Sequence, residues 1–271
     1  MLTAENIMSG EKFQMQTKMY IGLSISDFTR NPNIGINPKN VILSDINEPF
    51  NNPDSAFCYG HVLEALADKI DFFQNDFILV SGNSDQNIYP TPAFLKIVNH
   101  PRVKLWYAQN PAFEHPKLKL LPIGLANSHW EHGNVNLLLT VANNLPEKRN
   151  NVYFNFNVHT NYEKRSACYN ALKDLLPFLD VISVVDNVWR LASYKFCICP
   201  EGNGLDSHRI WECYYLRVVP IVIESEFIKV LKKQLNIPMI ILNDWSDLDL
   251  NKLDYDQYKD KYEYDVAQLL L

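Results

Sequence analysis

The chain lacks the features that would place it in several large classes. No apolar run reaches the ~20 residues a helix needs to span a bilayer. The opening MLTAENIMSGEKFQMQTKMY lacks the basic-then-apolar plan of a secretory signal. A basic surplus is missing too. The net charge of -6 argues against a nucleic-acid binder and against an electrostatic membrane anchor, leaving room only for a local basic pocket. Neither a Walker loop nor a Gly-x-Gly-x-x-Gly fingerprint occurs, which counts against an NAD-type oxidoreductase. The five cysteines are odd in number and show no disulfide framework, so reduced thiols in a cytosolic setting are expected. Cys197 and Cys199 would share one strand face, but no second Cys/His pair follows at zinc spacing, so they read as core. His129 and His132 stand without a third ligand. No metal site is therefore expected, and no repeat or low-complexity segment stands out.

What is present is the composition of an ordinary globular protein in 271 residues, enough for one large domain or two small ones. Residues 1–17 read as a loose start and 26–39 as a loop. Short apolar runs at 20–25, 40–43, 77–80, 103–108 and 118–121 read as strands, and 61–73 and 92–98 as helices. Two polar loops leave strand ends, one carrying Asp85 and one carrying Asn127, His129 and His132, where open α/β sheets place ligands. After a helix at 137–144, the polar break at 146–150 sets the expected boundary between domains 1–148 and 149–271. Beyond it, 152–156 reads as a strand, 162–176 as a helix opening with Arg165, 180–185 as a strand and 188–193 as a short helix. A helix at 226–233 and a strand at 239–242 follow.

The most informative stretch is KFCICPEGNGLDSHRIWECYYLRVVPIVI, Lys195 to Ile223. It reads as buried strand, glycine loop, helix, buried strand, a crossover with parallel strands. Gly202 and Gly204 suit positive φ, and Asp206 or Ser207 suits the helix cap. Such a helix start offers free N–H groups and a positive dipole end to phosphate. Arg209 stands in the first turn, where the dipole disfavours a cation unless an anion is bound. His208, Arg209 and Glu212 share a helix face, with Glu212 placed to accept from sugar or ribose hydroxyls. An intrahelical Arg209–Glu212 ion pair beside an ordinary glycine turn is the competing reading.

The string CPEGNGLDSHRIWECYYLRVVPIVIES resembles the C-terminal signature of exostosin-like glycosyltransferases, well over Tyr194 to Phe227. It departs at Arg217-Val218-Val219 before Pro220, where that family usually has Gly-Cys or Gly-x. The resemblance implies a GT-B fold: α/β, two facing Rossmann-like domains with parallel sheets, and a C-terminal helix over 255–271 crossing back. It implies a donor site of Arg165, Glu201, Gly202, Asn203, Gly204, His208, Arg209 and Glu212, with Arg165 facing the same diphosphate. The expected function is metal-independent transfer of a sugar from a nucleotide-sugar, such as a UDP- or GDP-sugar, to a glycan, glycoprotein or other hydroxyl acceptor. No cofactor is expected. Asp85 is the leading candidate base and His129 the second. Asp247-x-Asp249 fits the metal motif of GT-A glycosyltransferases, but its acidic setting reads as a solvated face. Animal exostosins are membrane-anchored; this chain shows no anchor, so it is expected to be cytoplasmic or shortened from a longer protein. The alternative function is a non-catalytic glycan- or nucleotide-binding module of the same fold.

Overall fold

The computed structural model describes residues 1–34 and 39–262. Its chain divides into two compact units, Met8–Ile123 and a second made of Met1–Ile7 with the residues from Gly124 on. Each is mixed α/β with a parallel sheet. No helix among the described residues is long and apolar enough to cross a membrane.

The first unit contains α1 (Gly10–Met15), β1 (Tyr20–Gly22), α2 (Ile25–Phe28), β2 (Asn40–Ile42), β3 (Ser55–Tyr59), α3 (Leu63–Lys69), β4 (Phe77–Gly82), α4 (Pro92–Asn99), β5 (Val103–Ala108) and β6 (Leu118–Leu120). Its sheet runs β2-β1-β3-β4-β5-β6, every neighbour parallel. β4 is apolar and buried on both faces, as a covered parallel sheet requires. α4 starts where Thr91 accepts from the Phe94 N–H and Pro92 fills the first turn; it buries Phe94, Ile97 and Val98.

Several local expectations need correction. The start of the chain is ordered: Ser9 accepts from the Lys12 N–H to cap α1. The strand expected over 20–25 stops at Gly22, because Ser24 and Asp27 form a capping box that begins α2. β3 was hidden by the Asn/Pro-rich run before it, and pairing on both sides with β1 and β4 makes it a central strand.

The second unit contains α5 (Val135–Ala142), β7 (Asn150–Tyr153), α6 (Tyr162–Leu172), α7 (Val184–Ala192), β8 (Tyr194–Ile198), α8 (His208–Tyr215), β9 (Val219–Ile223), α9 (Glu226–Leu235) and β10 (Ile240–Leu242). The sheet order is β10-β9-β8-β7, again all parallel. Its core gathers Phe154, Phe196, Ile198, Val219 and Ile221 with Cys168 and Leu172 of α6. The expected boundary at 148 falls inside this unit, because α5 packs on α7 and α8. No strand forms over 180–185. Ser183 accepts from the Asp186 N–H and opens α7 at Val184, so a cap overrides the β-branched run. At the C-terminus, a 3-10 turn at Tyr255–Gln257 replaces the helix expected to begin there, and Leu253, Tyr255 and Tyr258 pack on this unit's own core. The remainder of that expected helix, from 263, lies outside the described residues.

Candidate functional site

The loop from Pro200 to Ser207 leaves the C-terminal end of β8 and enters α8. Its backbone is held from α6. Arg165 Nε donates to the Glu201 carbonyl at 2.8 Å, Asn161 Nδ2 donates to the Gly202 carbonyl at 2.7 Å, and Lys164 pairs with the Glu201 carboxylate. Asp206 is buried and accepts from Trp211 Nε1 at 2.9 Å and from the Ser207 N–H at 2.8 Å. Ser207 accepts from the Arg209 N–H and caps α8, as expected. The two loop glycines do not use positive φ; among the described glycines only Gly124 does, at 62°. The anchored carbonyls fix the loop instead, and a Cβ at Gly202 would meet nothing closer than Arg165 Nη2 at 3.6 Å.

Arg209 and Glu212 do form the intrahelical ion pair, Nε to Oε2 at 2.9 Å, but inside the protein: their side chains are only 21% and 15% exposed. Arg209 Nη1 also donates to the Asn155 carbonyl at 3.1 Å, and its guanidinium lies 5.4 Å from the Tyr153 ring centroid. Burial opposes the Arg209 charge, but Glu212 together with Cys197, Tyr153 and Cys213 outweighs it and holds the guanidinium well above its ordinary pKa. Arg165 Nη1 donates to the Asn157 carbonyl at 2.9 Å. Burial and then the neighbouring Arg209 charge lower the Arg165 pKa. The two guanidiniums thus hang on carbonyls two residues apart, Asn155 and Asn157, along the run leaving β7. Among the described residues, Arg165 has no carboxylate within ion-pair reach.

Two cavities flank this loop and helix. One of about 420 Å³ is bordered by Arg209, Glu212, Asn155, Asn187, Glu131 and His132. The other, about 270 Å³, sits at the C-terminal ends of β8, β9 and β10 and is bordered by Glu201, Ser207, Glu224, Ser225, Asp244 and Trp245. Of the expected donor residues, the structure brings Arg165, Glu201, Gly202, Arg209 and Glu212 together. Gly204 is buried in the loop, and Asn203 points into solvent. His208 Nδ1 lies 2.8 Å from the Gly124 carbonyl, turned to the side that carries His132.

Neither expected base borders either cavity. Asp85 is exposed on the loop after β4, in the first unit. His129 is exposed, beside Trp130, and borders neither cavity. His132 borders the larger cavity, whereas the sequence pointed to it only as a metal ligand. Sequence reasoning missed His61, whose Nε2 lies 2.9 Å from Asp27 Oδ1 in the first unit. Asp27 is buried and also accepts from the Leu23 N–H at 2.8 Å, so it orients the imidazole. No alternation or motif in the sequence points to that pair. Asp247 and Asp249 form no metal cluster in the described residues; Asp249 pairs with Lys252. No protein-family model matches the chain, and no curated protein is significantly similar to it.

Proposed function

We propose that the chain is a glycosyltransferase with two Rossmann-like domains of GT-B type, moving a sugar from a nucleotide-sugar donor to a hydroxyl acceptor. The observation that carries this reading is the pair of guanidiniums, Arg165 and Arg209, anchored two residues apart beside an anchored loop and a helix start. One of them has a carboxylate partner and the other has none in the described residues. Two cations in low dielectric repel each other, and an anion shared between them removes that repulsion. A diphosphate leaving group supplies such an anion, and the fork of a guanidinium suits its oxygens.

In this reading the diphosphate rests between Arg165, Arg209 and the N-terminal N–H groups of α8, which stabilise the charge that develops as the sugar departs. Glu212 accepts from a ribose or sugar hydroxyl in the larger cavity while steadying Arg209. The charge on the leaving group is met by guanidiniums, so a divalent metal is not required for this step. Asp85 is the first candidate for the base that takes the acceptor proton and His129 the second; His61, oriented by Asp27, and His132 join them. The second reading is a binding module without catalysis, favoured by the exposure of His129, which borders neither cavity. Incubation with a panel of UDP- and GDP-sugars separates the two. Slow release of free sugar supports the transferase, whereas tight binding without any hydrolysis or transfer supports the module.

A further inference from the structure

Three of the five cysteines meet inside the second unit. Cys197 on β8 and Cys199 just past its end share a face because strand side chains repeat every second residue. Cys213 enters from α8, one turn after Arg209. All are buried, at 0%, 3% and 0% exposure. A core thiol usually packs as a small apolar group. Here the three sulfurs gather instead, all within 4.8 Å of one another, with Cys199 Sγ and Cys213 Sγ 3.9 Å apart. Their carbonyl contacts are long, Cys199 Sγ to the Cys197 carbonyl at 3.4 Å and Cys197 Sγ to the Ile198 carbonyl at 3.6 Å.

The spacing suits coordination. A zinc–thiolate bond is about 2.3 Å, so three sulfurs around one ion stand roughly 4.0 Å apart when trigonal and roughly 3.8 Å apart at tetrahedral corners. Small rotations of the side chains would bring a triangle with sides up to 4.8 Å to that size. Among the described residues no His, Asp or Glu joins the group, so its donors are soft sulfur alone, which selects thiophilic ions. Charge narrows the choice further. Three thiolates around a divalent ion leave one negative charge, and Arg209 Nη1, 4.0 Å from Cys197 Sγ, offsets it. A monovalent ion would leave two. Cys199 also borders the smaller cavity, which gives an ion a way in.

We propose that Cys197, Cys199 and Cys213 form a structural thiolate site for a thiophilic divalent ion of the zinc and cadmium class. The ion ties β8 to α8 and so fixes the helix that carries Arg209 and Glu212. It is distinct from any metal acting on substrate, and it stands whether or not the chain transfers sugar.

The test uses the whole, reduced protein, freed of metal and titrated with Cd²⁺, read by the ultraviolet band of thiolate-to-metal charge transfer. The expected result is a band that saturates at one ion per chain, displaced by Zn²⁺, with a raised melting temperature. Cys213→Ser and Cys199→Ser should weaken binding beyond the ~10–100-fold that loss of an outer-shell partner costs. Cys58→Ser and Cys168→Ser, two buried cysteines outside the group, should leave it unchanged. Where one serine variant fails to fold, the alanine variant of the same residue and the wild-type titration still decide. A folded, reduced wild-type protein with no saturable band overturns the proposal, and so does a band that survives Cys213→Ser. Saturation by Cu⁺ but not by Cd²⁺ overturns the divalent assignment.

Discussion

Replacing Arg209 by Ala should destabilise the protein by about 3–5 kcal/mol, the cost of leaving one member of a buried ion pair behind. The magnitude follows from the surroundings of the side chain. An exposed intrahelical pair is worth only about 0.3–0.5 kcal/mol. Here the Glu212 carboxylate, 15% exposed, would lose its 2.9 Å partner. The Asn155 carbonyl would lose a charged donor at 3.1 Å, a bond worth roughly 1.5–3 kcal/mol. Glu212→Ala alone should cost less, because Arg209 keeps Asn155 and the Tyr153 ring. The double variant should lie clearly below the sum of the singles, by a coupling of about 1–3 kcal/mol, since no orphan charge then remains. Urea denaturation of the four proteins measures all these terms. Single losses that add within about 0.3–0.5 kcal/mol would refute the reasoning, because the pair would then be screened like a surface pair. Arg209→Lys should rescue only part of the loss, since an ammonium cannot serve Glu212 and Asn155 with the same fork.

Gly202→Ala should be neutral or stabilising by roughly 0.4–1 kcal/mol, because its φ is ordinary and its nearest neighbour 3.6 Å away; Gly133→Ala should be severely destabilising, because the Asn127 carbonyl oxygen lies 2.2 Å from the added carbon, and thermal melts compare the two. Arg217 sits at φ 53° at the end of α8, so Arg217→Gly should be neutral or stabilising by up to about 1 kcal/mol, against the usual loss of roughly 1 kcal/mol for glycine within a helix, read by urea denaturation. Burial lowers the Lys148 ammonium to about 7, and it donates to the Ala192 and Leu216 carbonyls. The folded state therefore releases its proton before the unfolded chain does. Stability should rise with pH between about 7 and the ordinary lysine value near ~10.4, and Lys148→Met should flatten that rise in melts run across the range. Ser81→Ala should cost about 1–3 kcal/mol in denaturant titration, by orphaning the buried Trp106 Nε1–H now 2.8 Å from Ser81 Oγ.

The crossover from β8 to β9 was legible because every local signal agreed: an apolar run, a Pro stop, a Ser cap at 207 and a second apolar run. β5 and β6 were legible for the same reason. β3 was missed because five residues behind an Asn/Pro loop carry little pattern; pairing on both sides makes it a strand. The segment 180–185 misled because its β-branched residues outweighed a Ser183 cap whose effect depends on one hydrogen bond. At the site, the residue types and the spacing of Arg209 and Glu212 could be read, but their burial could not. That burial comes from Tyr153 and Asn155, more than fifty positions earlier in the chain. The same limit hid Cys213 beside Cys197 and Cys199, because a strand and a helix meet only in the fold. The departure at Arg217 was legible as a missing glycine, and the structure finds that position in the left-handed region.

The central claim is an anion site between Arg165 and Arg209, and calorimetric titration of the folded wild-type protein with UDP and GDP tests it most directly. The account predicts saturable binding of at least one of them, only modestly weakened by rising salt, because partly buried charges are screened less than exposed ones. A folded protein that gives no binding heat with either nucleotide at millimolar concentration would contradict it.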